Sequence, residues 1–238
     1  MLAWTIWIAA GFIAGSIPFG YLIGRIKGIN IREEGSGNIG ATNVARVLGP
    51  FWGRTCFVLD MLKGSIPVAT SAIVMGTWGL ALDEIRATDA WGWTFAMVAP
   101  VFGHMFPPWL RGRGGKGIAT GFGALVAAYS LVTLPALIAI TTWFLVLCMT
   151  RYVSLGSIAA AASLPIAFVC CVIPGYDGST AEALRAAVGS PIFIVLSLLG
   201  AVVIHRHRGN IARLRRGEEP KVTGKAPNRI ATPPSTRA

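Results

Sequence analysis

Between Lys116 and Arg151 runs IATGFGALVAAYSLVTLPALIAITTWFLVLCMT, Ile118 to Thr150, 33 residues without a charge. An apolar layer about 30 Å thick needs about 20 helical residues rising about 1.5 Å each. One straight helix has too many residues here, and two have barely enough. Both flanks are basic, and basic flanks stay on the cytoplasmic side, so the chain enters and leaves this stretch on one face. It therefore crosses an even number of times, and the reading is two short crossings that divide near Tyr129-Ser130 and Pro135. The competing layout places a re-entrant or single long element here and gives five crossings in all instead of seven.

The rest of the chain agrees with a membrane setting. Of 238 residues, 54% are apolar and 13% charged, with a mean hydropathy of +0.63, too apolar for one soluble domain. Leu2 to Ile23 is read as a first span with its amino end outside, because Arg25 and Lys27 follow it and no cation precedes it. Phe51 to Leu82, Ala90 to Leu110, Val153 to Ile173 and Pro191 to Ile204 supply further spans, with Asp83, Glu84 and Asp89 on one outer connection and Asp177 and Glu182 on another. The expected fold is an all-α polytopic membrane helix bundle of about seven transmembrane helices, amino end outside and carboxyl end cytoplasmic. On this layout only Arg86 and Arg185 of the 21 cations lie outside, so the net charge of +11 needs no nucleic-acid partner. Residues 1–221 form the membrane domain, and 222–238, rich in Pro, Thr, Lys and Arg, are expected to be a disordered basic tail. Cys56, Cys148, Cys170 and Cys171 lie in apolar stretches without metal-ligand spacing and read as reduced hydrophobes. No internal repeat suggests a transporter's paired halves.

Three cytoplasmic segments carry most of the polar chemistry. Gly35-Ser36-Gly37-Asn38-Ile39-Gly40-Ala41-Thr42-Asn43, with Arg46, concentrates glycines and side-chain donors in a turn able to cradle an anion; the same residues also suit a plain turn between spans. Gly112-Arg113-Gly114-Gly115-Lys116-Gly117 opens an apolar helix, an arrangement that lets N–H groups, the positive helix end and two cations face a phosphate. It is not a nucleotide-hydrolase loop, since Gly117 follows the lysine where Ser or Thr is required. The third segment, His205 to Glu219, is a basic juxtamembrane helix whose arginines read first as lipid-headgroup contacts. His207 and Asn210, three apart, share a helix face and can reach one polar site.

Two features lie deeper. Asp60 and Lys63 sit well inside the second span, where an unpaired charge costs about 2.5–3.5 kcal/mol, so they need each other or a ligand. Ser154 and Ser157 share a face just past Arg151, where small-residue packing and hydroxyl donation remain alternative readings.

Taken together, Ser36 to Asn43 with Arg46, Gly114 to Gly117 with Ala119-Thr120, and His207 with Asn210-Ile211, Arg213-Leu214 and Glu219 resemble the three cytoplasmic motifs of the bacterial acyl-phosphate-dependent glycerol-3-phosphate acyltransferase family. Gly103-His104 with Pro107, Asp60 with Lys63-Gly64, and Arg151-Tyr152 with Ser154 and Ser157 extend the likeness over nearly the whole chain. Gly112 departs from it, standing where the family usually has an aromatic. The resemblance implies a multi-pass enzyme of the bacterial inner membrane that passes an acyl group from acyl phosphate to the 1-hydroxyl of sn-glycerol 3-phosphate, as the first step of phospholipid synthesis. It implies no metal and no other cofactor, and it allows a functional link to the enzyme that makes acyl phosphate; oligomeric state stays open. Glycerol 3-phosphate is then expected on Ser36, Asn38, Thr42, Asn43, Arg46 and Lys63. Acyl phosphate is expected on Arg113, Gly114, Gly115, Lys116, Gly117, Thr120, Ser154 and Ser157. His207, Asn210 and Lys116 are the catalytic candidates, with either His207 or substrate phosphate as the base. The common His-x-x-x-x-Asp acyltransferase signature is absent, because Trp109, Asn210 and Ala212 follow the three histidines at that spacing. No nucleophile has an oriented base beside it in sequence, which favours direct transfer in one ternary complex. A small-anion or lipid transporter is the rival reading, weakened by the crowding of polar motifs on one face.

Overall fold

A computed structural model describes residues 2–81, 84–175 and 178–222. Among the described residues the regular structure is helical, and eleven α-helices are present. The opening span is interrupted: α1 (Leu2–Ser16) gives way at Ile17-Pro18 to α2 (Phe19–Ile26), since proline has no N–H to continue the ladder and restrains the residue before it. A surface helix, α3 (Ala41–Leu48), leads into α4 (Pro50–Val74), and α5 (Ala87–Met105) returns the chain. The uncharged stretch forms α6 (Ile118–Ala127) and α7 (Thr133–Thr150), followed by α8 (Val153–Val172), α9 (Thr180–Gly189), α10 (Pro191–Arg206) and α11 (Arg208–Arg215).

The division of Ile118 to Thr150 falls around Tyr129-Ser130, as expected, but it is uneven. With 10 residues, α6 rises about 15 Å, half the apolar layer. By length and apolarity, four spans reach across: Leu2–Ile26, α4, α7 and α8; a fifth is added if α9 and α10, bent by 59°, count as one. This is fewer than the seven suggested by charge alone. The difference lies in short α6 and in α5, which carries Asp89 and His104 and supplies interior residues such as Trp93, Met97, Val101 and Met105.

Lipid tails are as apolar as leucine, so helices in a bilayer associate through close backbone packing rather than by escape from water. Glycines provide that approach here. A Cβ on Gly15 would lie 2.0 Å from the carbonyl oxygen of Pro100, joining α1 to α5, and one on Gly64 would lie 2.2 Å from that of Thr120, joining α4 to α6. Large apolar side chains such as Ile66, Phe144 and Met149 point outward and exposed, which suits a lipid-facing surface. The cysteines are unpaired, with Cys56 buried and Cys148 and Cys170 exposed on their helices.

Beyond α11 the chain doubles back, and the N–H of Val222 donates to the carbonyl of Arg151 at 2.8 Å. The tail expected to be disordered lies, from residue 223, outside the described residues, as do Asp83 and Asp177.

Candidate active site

All three polar segments meet at one end of the bundle. A cavity of about 300 Å³ is lined by Ser36 and Asn38 from the first loop, Lys116 from the glycine loop, and Arg206, Arg208, Gly209, Asn210 and Arg213 from the end of the chain. The ammonium of Lys116 donates to the side-chain carbonyl of Asn210. The Asn210 amide in turn donates to Glu219 at 2.6 Å, whose other oxygen accepts from Arg213 at 2.8 Å. This chain of contacts fixes Lys116 in the wall.

Electrostatics follows from that wall. Burial pulls Lys116 down from the usual lysine range to about 8; Glu219 opposes the fall, while Arg213, Arg46 and Arg206 add to it. Burial works against the charge of Glu219, but hydrogen bonding from Ser154, Asn210 and Arg213 outweighs it and holds the carboxyl below its ordinary value. Ser154, close enough to exert that pull, forms no full hydrogen bond among the described residues.

His207, 2% exposed, stands between α10 and α11. Its Nδ1 lies 2.8 Å from the carbonyl of Val203. A carbonyl only accepts, so that nitrogen carries the hydrogen and Nε2 is the acceptor in the neutral ring. Burial and the charge of Lys116 lower the imidazole to about 4 against the opposing pull of Val203 and Glu219. At neutral pH it is an uncharged ring with a defined acceptor nitrogen.

Several expected ligand-binding groups hold the scaffold instead. Asn43, 2% exposed, accepts from the Ser36 N–H at 2.8 Å and donates to the carbonyls of Ile31 at 3.2 Å and Glu34 at 3.0 Å. Its amide braces the loop that presents Ser36 and Asn38. Lys63 lies outside the cavity wall, 2.8 Å from Asp60, donating at 2.6 Å to the Ile17 carbonyl at the break between α1 and α2, which also accepts from the Phe19 N–H at 3.1 Å. Gly114 and Gly115 do not aim their N–H groups at the cavity, because these donate to Met105 and His104 at 3.2 and 3.1 Å. Their need for glycine is steric: a Cβ on Gly115 would lie 2.0 Å from Nε2 of His104.

The remaining candidates do not line this cavity. Thr42, Arg46 and Arg113 are exposed. Thr120 is fully buried near the start of α6, its hydroxyl without a partner among the described residues. Gly117, Ser157 and the first turn of α6 line a second, apolar cavity of about 70 Å³ among α5, α6, α7, α8 and α10, which continues past Trp143 and Ala139 to Leu164. Ser157 donates to the Val153 carbonyl at 2.9 Å, as helix hydroxyls commonly do.

Sequence alone places Arg206 at lipid headgroups, whereas it donates to the carbonyls of Met105, Gly114 and Gly115 at 3.2, 2.8 and 2.8 Å. Arg208 and Arg213 line the cavity as well. The sequence signal for Arg213 was Glu219, an acid inside a basic tail; none marked Arg206, whose partners lie more than 90 positions away.

A membrane helix bundle with a cationic pocket touching an apolar groove defines a class suited to amphiphiles bearing a phosphate. The sequence profile of the family described as glycerol-3-phosphate acyltransferase matches residues 5–217, and the chain belongs to that family. It is 42% identical over 212 residues to the glycerol-3-phosphate acyltransferase of Synechococcus elongatus, covering 89% of this chain and 90% of the relative. With that of Aquifex aeolicus the identity is 38% over 208 residues, covering 87% and 93%. Its fold is similar to the crystal structure of PlsY (YgiH), an integral membrane glycerol 3-phosphate acyltransferase, in the glycerol 3-phosphate form, with TM-score 0.73, 34% identity and coverage of 92% and 96%. The lysophosphatidic acid form of PlsY matches with TM-score 0.70.

Proposed function

We propose that this protein transfers a fatty acyl group from acyl phosphate to the 1-hydroxyl of sn-glycerol 3-phosphate, releasing 1-acyl-glycerol 3-phosphate and inorganic phosphate. The observation that carries the reading is the meeting of the two cavities at adjacent residues: Lys116 lines the polar one and Gly117 the apolar one. A carbonyl held at that peptide has its phosphate on the cationic side and its alkyl chain among helices. The relatives named as glycerol-3-phosphate acyltransferases support the acceptor. The acyl phosphate donor is supported by the cations Lys116, Arg206, Arg208 and Arg213 around the pocket, suited to phosphate groups.

In the transfer, the acceptor oxygen forms a bond to the carbonyl carbon and the carbonyl–phosphate oxygen bond breaks. Lys116, held by Asn210, stabilises the charge gathering on the departing phosphate. Ser36 and Asn38 face it across the pocket with Arg208 and Arg213 and hold the glycerol phosphate, while Arg46 adds charge from the rim. His207 presents Nε2 as a hydrogen-bond acceptor that orients the attacking hydroxyl, and because its low proton affinity makes the ring a weak base, a phosphate oxygen of the substrate takes the hydroxyl proton. The loops that build this pocket hold most of the chain's cations, which supports a site on the cytoplasmic face of the bacterial inner membrane.

Purified protein in detergent, given radiolabelled glycerol 3-phosphate and palmitoyl phosphate, is expected to form labelled lysophosphatidic acid and phosphate in equal amounts. Product from palmitoyl coenzyme A but none from palmitoyl phosphate would reject the donor assignment. No acylated product from either donor would reject the activity.

A further inference from the structure

Below the pocket, three ionisable side chains line neither cavity. Asp60, Lys63 and His104 are 2%, 6% and 4% exposed. Asp60 Oδ1 lies 2.8 Å from Lys63 Nζ and 3.6 Å from His104 Nδ1. Each end of this cluster touches a loop that bears site residues. At one end, Cys56 Sγ stands 3.6 Å from the other Asp60 oxygen and 3.9 Å from the carbonyl of Ile39, one residue beyond Asn38. The same carbonyl abuts α2 so tightly that a Cβ on Gly20 would lie 1.8 Å from it, and α2 begins just past the break that Lys63 binds.

At the other end, His104 supports the glycine loop from beneath. Its carbonyl accepts from the N–H of Gly115 at 3.1 Å, and its ring fills the space where a Gly115 side chain would project. Arg206 grips the same two glycines through their carbonyls. The loop is thus fixed between an imidazole on one side and a guanidinium on the other. Lys116 is the next residue.

We propose that Asp60, Lys63 and His104 form a positioning strut. It ties the first loop to the glycine loop and sets the separation at which Ser36 and Asn38 face Lys116. None of the three touches substrate. Removing the strut leaves each loop its own binding groups but misaligns the two bound reactants, and misplacement by about 1 Å can cost about 100-fold in rate. The rate readout rests on the acyl-transfer reading; the exchange readout does not.

The test uses the full chain in detergent with the variants Asp60→Asn, His104→Ala, Gly115→Ala and the double variant His104→Ala/Gly115→Ala. In the single variants kcat falls about 100-fold while KM for glycerol 3-phosphate and for palmitoyl phosphate stays within about threefold. The new methyl of Gly115→Ala fits the space vacated by the imidazole, so the double variant is no more than about threefold worse than the worse single. Multiplied losses, or KM changes of tenfold with kcat retained, overturn the proposal. Gly115→Ala removes no ionisable group and acts only by pushing on the His104 ring; wild-type kcat in that variant overturns the proposal too. Independently of activity, amide exchange across residues 112–117 is expected to quicken at least tenfold in Asp60→Asn while residues 180–190 keep their wild-type rates. Equal acceleration of both segments, or none at 112–117, refutes the strut even if the wild type proves inactive with palmitoyl phosphate.

Discussion

Raising pH should switch this enzyme off through Lys116. In the free protein its ammonium loses a proton near 8, so about nine-tenths of molecules carry the charge at pH 7 and about one-tenth at pH 9. If only the charged form receives acyl phosphate, kcat/KM for that substrate falls roughly ninefold between these values, since this parameter reports the free enzyme. His207 contributes nothing to this limb, because its transition lies near 4 and it stays neutral throughout. The sign is set by the direction of the shift: a lysine lowered by burial is lost earlier on the alkaline side, not on the acid side.

The structure supplies two further handles on that limb. Glu219 is the group that holds Lys116 up, so Glu219→Gln moves the midpoint downward by roughly half to one unit. Lys116→Arg replaces the ammonium with a group charged at every working pH; its activity is lower, but its profile is flat to about pH 10. The assay is initial-rate phosphate release at low palmitoyl phosphate from pH 6 to 10, corrected for spontaneous hydrolysis. A wild-type profile level to pH 10, or a midpoint unmoved by Glu219→Gln, would refute the assignment of the limb to Lys116.

Three further outcomes are expected. Arg206→Met, which keeps length but releases three carbonyls, lowers kcat/KM for acyl phosphate by about 100-fold, and wild-type kinetics would show that the clamp is dispensable. Asn43→Ala leaves the Ser36 N–H and the Ile31 carbonyl unpaired and takes one of two donors from the Glu34 carbonyl; it lowers stability by about 2 kcal/mol, read as a fall in Tm, and raises KM for glycerol 3-phosphate, while an unchanged Tm contradicts the bracing role. Ala139→Leu narrows the apolar groove, so the preference for an eight-carbon over a sixteen-carbon acyl phosphate rises about tenfold or more, and an unaltered ratio removes the groove as the acyl site.

Much of this arrangement was legible because membranes impose few solutions on a chain. Basic flanks around Ile118 to Thr150 required a return to the same face, and α6 and α7 divide around Tyr129-Ser130. The cost of burying either alone means that Asp60 and Lys63 need each other or a ligand, and the structure shows them paired. Charge counting could not show that α6 has only 10 residues, since topology rules constrain which side a loop occupies and say nothing of how deeply a helix reaches. Nor could the pattern show which way an amide or N–H points. Asn43 in a polar loop looks like a ligand donor until its three bonds to backbone are seen, and the glycines beside Lys116 look like a phosphate nest until His104 is found beneath them. Arg206 was hidden for a related reason: a cation at a helix end satisfies the topology rule whether it faces headgroups or folds back on a distant loop.

The depressed proton affinity of Lys116 also bears on how it meets a phosphate. Burial makes the bare ammonium costly, and the same low-dielectric surroundings strengthen its attraction to a phosphate placed against it. On the proposed reaction, a departing phosphate gains negative charge as the carbonyl bond breaks, and the lysine would then interact more strongly with the transition state than with bound acyl phosphate. Asn210 can keep the ammonium aimed only because Glu219 and Arg213 hold the segment behind it. On that proposal the C-terminal return from Gly217 to Val222, docked on Arg151 between α7 and α8, supports the catalytic lysine. A chain truncated after α11 would keep every cavity-lining side chain and lose the group that orients two of them.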